Sequence, residues 1–307
     1  MLKKILRILL IILLVIIIGN YIFSFISSRI YLSRVDKINV INLQGAIEES
    51  VPGVMNSVNI NPEMVSEKLK RAARDDTIEG VVLRVNSPGG SVAASQEIAE
   101  MVKDFEKPIV ISMGDTAASG GYYISAPADG IVAQPGTMTG SIGVIMSTFD
   151  VEEMLDKIGI DREVIKSGEH KDLFQRSLSS EEREILQDIS DEAYNQFVSE
   201  IVKGRNLEEK EVKELATGEI YTGSQAQELG LVDRLGGIDE AINYISELKD
   251  LENPVEYRYP APGLLERFQG MTYKISSIVR NSWLPEELLI WENIKGKSSY
   301  QLRYELK

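Results

Sequence analysis

The first 34 residues differ in pattern from everything after them. Lys3, Lys4 and Arg7 precede an unbroken apolar run from Ile8 to Ile18, which continues less purely to Ile26. A helix over Ile8 to Ile26 comes close to the roughly 20 residues needed to cross a hydrocarbon core, and Arg7 can snorkel to the headgroups. The run is long for the apolar part of a cleaved signal, and no small-x-small site follows it, so an uncleaved anchor is expected. The basic residues before it place the N-terminus in the cytoplasm and residues 35–307 outside.

Beyond the anchor the pattern alternates between short apolar runs and longer amphipathic stretches. Lys37 to Ile47 predicts a buried strand, and Asn61-Pro62 starts a helix that runs to about Arg74. Gly80 to Val85 predicts the next strand, closed by the turn Asn86-Ser87-Pro88-Gly89-Gly90. Ser91 to Phe105 reads as a helix and Pro108 to Met113 as a strand. Strand, helix, strand, helix, strand favours a largely parallel sheet flanked by helices, an α/β fold.

Further on, Gly130–Ala133 and Glu163–Lys166 read as short strands and Val151–Ile158 as a short helix. Ser179 and Glu182 form a capping-box pattern. Behind them Ile185, Ile189, Ala193, Phe197 and Ile201 mark one apolar helix face. Helices are expected over Glu208–Ala216, Ser224–Leu229 and Ile238–Leu248, with a strand at Leu231–Asp233. Past Pro254 the pattern weakens, and Phe268, Trp283 and Trp291 follow no period. The expected organisation is an anchor over 1–34, one globular domain over 35–255, and a tail over 256–307.

Composition narrows the chemistry. With 33 basic against 47 acidic side chains the net charge is −14, which argues against a nucleic-acid partner. There is no cysteine, so disulfides, thiol nucleophiles and thiolate metal sites are excluded. The one histidine, His170, cannot build a multi-histidine metal centre within a chain.

Hydroxyl, amine and carboxylate chemistry remains, and four polar or glycine-rich segments could carry it: Asn86–Gly90, Ala117–Tyr123, Thr139–Gly143 and Ser167–Asp172. Ser119 is flanked by small residues, which would let a substrate backbone approach within about 3 Å, and it stands where a strand would enter a helix. It could equally be a serine that caps that helix. Gly89 and Gly90 can offer backbone N–H groups to an oxyanion or simply form a turn. A base could be His170, Lys171 or another lysine. On the residues alone His170 suits better, because a lysine acts as base only when burial lowers its pKa.

Taken together, the segments VNSPGG (Val85–Gly90), SMGDTAASGGYYIS (Ser112–Ser125), TGSIGVIM (Thr139–Met146), IKSGEHKD (Ile165–Asp172) and GEIYTGSQAQELGLVDRLG (Gly218–Gly236) resemble the signal peptide peptidase A family. These are membrane-bound Ser/Lys peptidases with a crotonase-like (ClpP-like) fold of repeated β-β-α units. The resemblance implies Ser119 as nucleophile, Lys171 rather than His170 as general base, an oxyanion-hole N–H at Gly90, and Ser141 orienting the lysine amine. It implies no cofactor and no metal. It implies apolar peptides such as cleaved signal peptides as substrates, a membrane-lipid contact, and a homo-oligomer. An octamer is expected, with Ser119 of one subunit meeting Lys171 of its neighbour. A crotonase-like acyl-CoA enzyme and a catalytically silent membrane scaffold are the competing readings.

Overall fold

The computed structural model describes residues 18–19, 36–49, 59–148, 150–160, 163–173 and 176–259. By internal contacts the chain divides into Met1–Arg258 and Tyr259–Lys307. The first unit holds every element described below.

In chain order the first half runs β1 (Lys37–Gln44), α1 (Pro62–Ala73), β2 (Ile78–Ser87), α2 (Val92–Lys103), β3 (Ile109–Ala118), α3 (Gly120–Tyr123), β4 (Gly130–Ala133) and β5 (Met138–Gly140). The second half adds α4 (Glu152–Lys157), α5 (Ser180–Arg205), α6 (Glu209–Leu215), β6 (Ile220–Thr222), α7 (Gly223–Glu228), β7 (Arg234–Leu235), α8 (Ile238–Lys249) and β8 (Val255–Tyr257).

The long helices begin where capping chemistry predicts. The Asn61 side chain accepts the Met64 N–H at 2.8 Å, with Pro62 filling the first helical position. The Ser91 hydroxyl accepts the Ala94 N–H. At α5, Ser179 and Glu182 make the reciprocal capping box.

The strands form one sheet in the order β6-β5-β3-β2-β1-β8, with β4 also on β3 and β7 on β4. Every pair is parallel except β5 with β6. The edge of β3 away from β2 is divided between two partners. Its first half, Val110–Ser112, pairs with β4, and its last three residues, Thr116–Ala118, pair with β5.

The sheet is hydrophobic on both faces, as parallel sheets are. The larger core packs Leu43, Leu83 and Ile111 against Val65 and Leu69 of α1, Ile98 of α2 and Phe197 and Ile201 of α5. The smaller one sets Ile38, Val40, Val82 and Val110 against Ala241 and Ile245 of α8. Each fully buried aliphatic side chain contributes about 1.5–3 kcal/mol, so burial on both faces stabilises the centre of the sheet.

Several expectations are corrected. Strand β3 runs past Met113 to Ala118, because β2 and β3 shift register between Val85 and Ser87 and the ladder resumes at Ala117. The Asn86 side chain bridges the gap by accepting the Thr116 N–H at 3.1 Å. The expected strand at Glu163–Lys166 does not form. Ile165 there is 95% exposed and has no strand beside it among the described residues. Leu231 and Val232 are buried, but pairing begins only at Arg234. Val255–Tyr257 joins β1 as an outer parallel strand, so the sheet takes in residues past the expected boundary at 255.

No helix among the described residues is long and apolar enough to cross a membrane. The Ile8–Ile26 run, on which the expected anchor rests, lies outside the described residues apart from Ile18 and Gly19. Residues 260–307, with Phe268, Trp283 and Trp291, also lie outside them.

Candidate active site

Ser119 is the first residue past β3 and the last before α3. Its backbone stands at φ 53°, ψ −121°, outside the wells that non-glycine residues favour. Such a conformation costs about 1–3 kcal/mol and persists only where the surroundings over-determine it. They do so here. The Ser119 N–H donates to the Gly140 carbonyl at 2.8 Å, extending the β3–β5 ladder one residue. The Ser119 carbonyl accepts from both Tyr122 and Tyr123, each at 2.9 Å. Its side chain does not cap the helix. The capping alternative is therefore set aside, and the hydroxyl makes no hydrogen bond among the described residues.

The Asn86–Gly90 turn packs directly on this elbow. Gly89 has φ +100°, and a Cβ there would come within 2.9 Å of the Ser119 Cβ and 2.7 Å of the Gly120 nitrogen. A Cβ on Gly90 would run into the Ile47 carbonyl, which accepts the Ser91 N–H. A Cβ on Gly120 would stand 3.2 Å from the Gly90 nitrogen, so the two amides are neighbours. As the first residue of α3, Gly120 has no intrahelical partner for its N–H. Among the described residues neither amide donates to another backbone carbonyl. Two adjacent free amides beside a free hydroxyl are what a tetrahedral oxyanion needs, each worth about 3 kcal/mol. The family resemblance implies Gly90 for that role. Gly120 is the addition, and the residue after a strained serine is where such a donor generally lies.

A small cleft opens beside Ser119, lined by Val92, Ser95, Tyr123, Val144, Ala193 and Phe197. It is short and largely apolar, which fits a small or apolar side chain next to a scissile bond. Helix α5 supplies one wall through two positions of its periodic face. The phenols nearest the serine are not bases at neutral pH. Burial raises the pKa of Tyr122, whose hydroxyl donates to the Leu231 carbonyl at 3.0 Å. Burial first, then the charge of Glu200, raises that of Tyr123.

Ser141 follows β5 one residue after the carbonyl that holds Ser119, with φ 49° and its N–H on the Glu219 carbonyl. Ser119, Gly90 and Ser141 thus gather at one end of β3 and β5. Lys171 does not line the serine cleft. It is exposed, lies in a turn at Gly168–Asp172, and makes no hydrogen bond or ion pair through its amine among the described residues. His170 lies 3.3 Å through Nδ1 from the Glu182 carboxylate and does not line the serine cleft.

The segment before Lys171 is also unusual in what it exposes. Helix α4 buries no residue. Ile145 is 92% exposed, and Met154, Ile158 and Ile160 are exposed beyond it in the chain. Among the described residues of a single copy, nothing covers these side chains or Lys171.

Residues 101–252 match the model of peptidase family S49, and residues 52–138 that of Clp protease. A protein of Enterococcus faecium named for signal peptide peptidase SppA is 36% identical over 86% of this chain and 74% of its own length. A protein of Synechocystis sp. named as a protease is 42% identical over 72% of this chain and 82% of its own. Among solved structures, a mutant of the 1510-N membrane-bound stomatin-specific protease superposes with a TM-score of 0.51 at 15% identity. It covers 75% of this chain and 99% of that one, a likeness of fold. With an elbow serine between two free amides, and relatives of this closeness over most of both chains, the protein is a serine peptidase belonging to peptidase family S49.

Proposed function

We propose that the chain is a membrane-anchored endopeptidase in which Ser119 is the nucleophile and Lys171 of a neighbouring copy is the general base. The observation that supports this best is the strained, unbonded Ser119 beside the paired Gly90 and Gly120 amides. The neutral Lys171 amine takes the Ser119 hydroxyl proton as Oγ attacks the peptide carbonyl. Negative charge on the former carbonyl oxygen is held by the Gly90 and Gly120 N–H groups. The resulting ammonium gives its proton to the leaving amine, and the C–N bond breaks to leave an acyl-serine. Water then attacks the ester, passing its proton to Lys171, and the serine alcohol is regenerated as that proton returns to Oγ. Ser141, next to the carbonyl that holds Ser119, orients the lysine amine.

The exposed position of Lys171 in a single chain supports assembly. Burial against a second copy would remove both the amine and the Ile145–Ile165 side chains from water, which favours the neutral amine and adds apolar contact. Such a homo-oligomer, read as an octamer from the family resemblance, shares each site between two subunits. The crotonase-like repeat of β-β-α units gives the frame, and the Ile8–Ile26 run anchors it with residues 35–307 outside the cytoplasm. Apolar peptides left in the bilayer after export are the substrate class that such an anchored site would meet.

The test mixes inactive copies. Ser119→Ala and Lys171→Ala should each lower kcat by about 10⁴-fold or more. Dissociated and reassembled together, the two variants should regain activity through mixed sites. Mixed oligomers that stay inactive would place both groups in one chain, and full activity in Lys171→Ala alone would remove the lysine from the mechanism.

A further inference from the structure

Both neighbours of Lys171 are tied to the same place. Asp172 accepts from Lys166 Nζ at 2.7 Å and from Arg176 Nε at 3.1 Å and Nη2 at 3.3 Å. His170 Nδ1 lies 3.3 Å from Glu182, and Glu182 accepts from Arg176 Nη1 at 2.8 Å and Nη2 at 2.5 Å. Glu182 also accepts the Ser179 N–H at 3.0 Å in the first turn of α5, the helix whose Ala193 and Phe197 wall the serine cleft. The two carboxylates are almost fully covered, with side chains 9% and 3% exposed. Lys166 closes the turn through the Glu169 carbonyl as well.

This arrangement answers a chemical difficulty. A carboxylate next to Lys171 would hold its amine in the charged form, which cannot act as a base. Asp172 is the adjacent residue, yet its charge is taken up by two other cations. The hydrogen bonds from Lys166, then Arg176, pull the Asp172 pKa down to about 2. Arg176, followed by the Ser179 amide, holds Glu182 well below the usual carboxylate range.

We propose that Arg176, assisted by Lys166, is a positioning residue for Lys171: it occupies the Asp172 and Glu182 carboxylates, ties the flanking backbone to α5, and leaves the Lys171 amine without an anionic partner. This rests on Lys171 being the general base. The charged and titratable groups around the turn are Lys166, Glu169, His170, Asp172, Arg176 and Glu182, and Arg176 bridges the two buried anions among them.

The experiment compares pH profiles of kcat/KM for the full-length oligomeric enzyme on a fluorogenic apolar peptide. In Arg176→Gln Glu182 loses its main partner and Asp172 loses one of its two cations, so the acidic limb of the profile moves to higher pH by about one unit. Activity near neutral pH falls about 10-fold and recovers in alkali. Adding Asp172→Asn to that variant removes the freed charge and brings the limb back toward its original position. Arg176→Lys, which keeps a cation there, leaves the limb where it was even if kcat drops. A loss of kcat in Arg176→Gln at every pH, with the limb unmoved, would reduce Arg176 to a prop for the loop and overturn the proposal. It is equally overturned if Asp172→Asn alone moves the limb a full unit to lower pH, because Asp172 would then already be acting on Lys171. Full activity in Lys171→Ala is a separate result, which removes the base itself and the inference with it.

Discussion

The serine end and the lysine end of the proposed site are built in opposite ways. Ser119 sits just past the end of the central strand of the sheet, with its backbone bonded to Gly140 and its turn filled by glycines that leave no room for a side chain. Lys171 sits on a turn off the sheet, held by charged groups and preceded in the chain by apolar side chains that face water. On the proposed mechanism the nucleophile and its oxyanion amides lie within one chain, and the base awaits a second copy. A peptidase arranged in that way would stay inactive until copies meet.

The sharpest way to break the contrast is on the serine side. Gly90→Ala drives a methyl group into the Ile47 backbone and displaces one of the two amides proposed to hold the oxyanion. We expect a loss of about 10²–10³ in kcat with KM little changed, measured on purified oligomer. Near-normal kcat would show that the Gly90 N–H does not serve the oxyanion. A smaller effect is expected on the lysine side. Ile158→Asp or Ile165→Asp puts a charge on the exposed apolar segment and should weaken assembly, so that activity becomes dependent on enzyme concentration over the range where light scattering shows dissociation. Thermal unfolding of the subunit should change by less than about 0.5 kcal/mol, because neither side chain packs in the core. A variant that loses activity while remaining assembled would assign those residues to substrate contact instead.

The mildest test is by pH. The native Asp172 carboxyl titrates at about 2, below its ordinary value of 3.8. A depressed pKa contributes stability that is complete above the unfolded value and is lost as pH falls through the folded one. The Lys166–Asp172–Arg176 contacts should therefore persist through the range where ordinary carboxylates begin to protonate and open only between about pH 4 and pH 2. Exchange rates or the fluorescence of a probe near 166–172, followed in acid, would show it. Opening at about pH 5 to 6 would mean that the carboxylate is less tightly held than its contacts require.

The same contrast sets what could be read from residues alone. The serine turn was legible because its geometry leaves a local mark: Ser119 between small residues, and Gly89 and Gly90 where only hydrogen fits. The long elements were legible through capping residues and apolar period, as at Asn61, Ser91 and Ser179. The strands β5, β6 and β8 are three residues each, too short for any period to show. Glu163–Lys166 has strand-like residues but pairs with no strand among the described residues, and pairing, not composition, makes a strand. Least legible was the setting of Lys171. Its adjacent Asp172 reads as a natural partner, and only Arg176 and Glu182, further along the chain, show that the carboxylate is taken.

Beyond catalysis, the far side of the sheet carries a hazard of its own. Strand β8 covers only Lys37–Asn39 of β1, leaving the remainder of that strand as an open rim among the described residues. Lys68 donates to the Asn42 carbonyl there, and Arg258 to the Asn42 side chain, so two cations stand over the backbone that another chain would otherwise pair with. Cutting the protein before Val255 would strip away both the covering strand and Arg258, and the shortened subunit should tend to clump through that rim even with its serine turn intact.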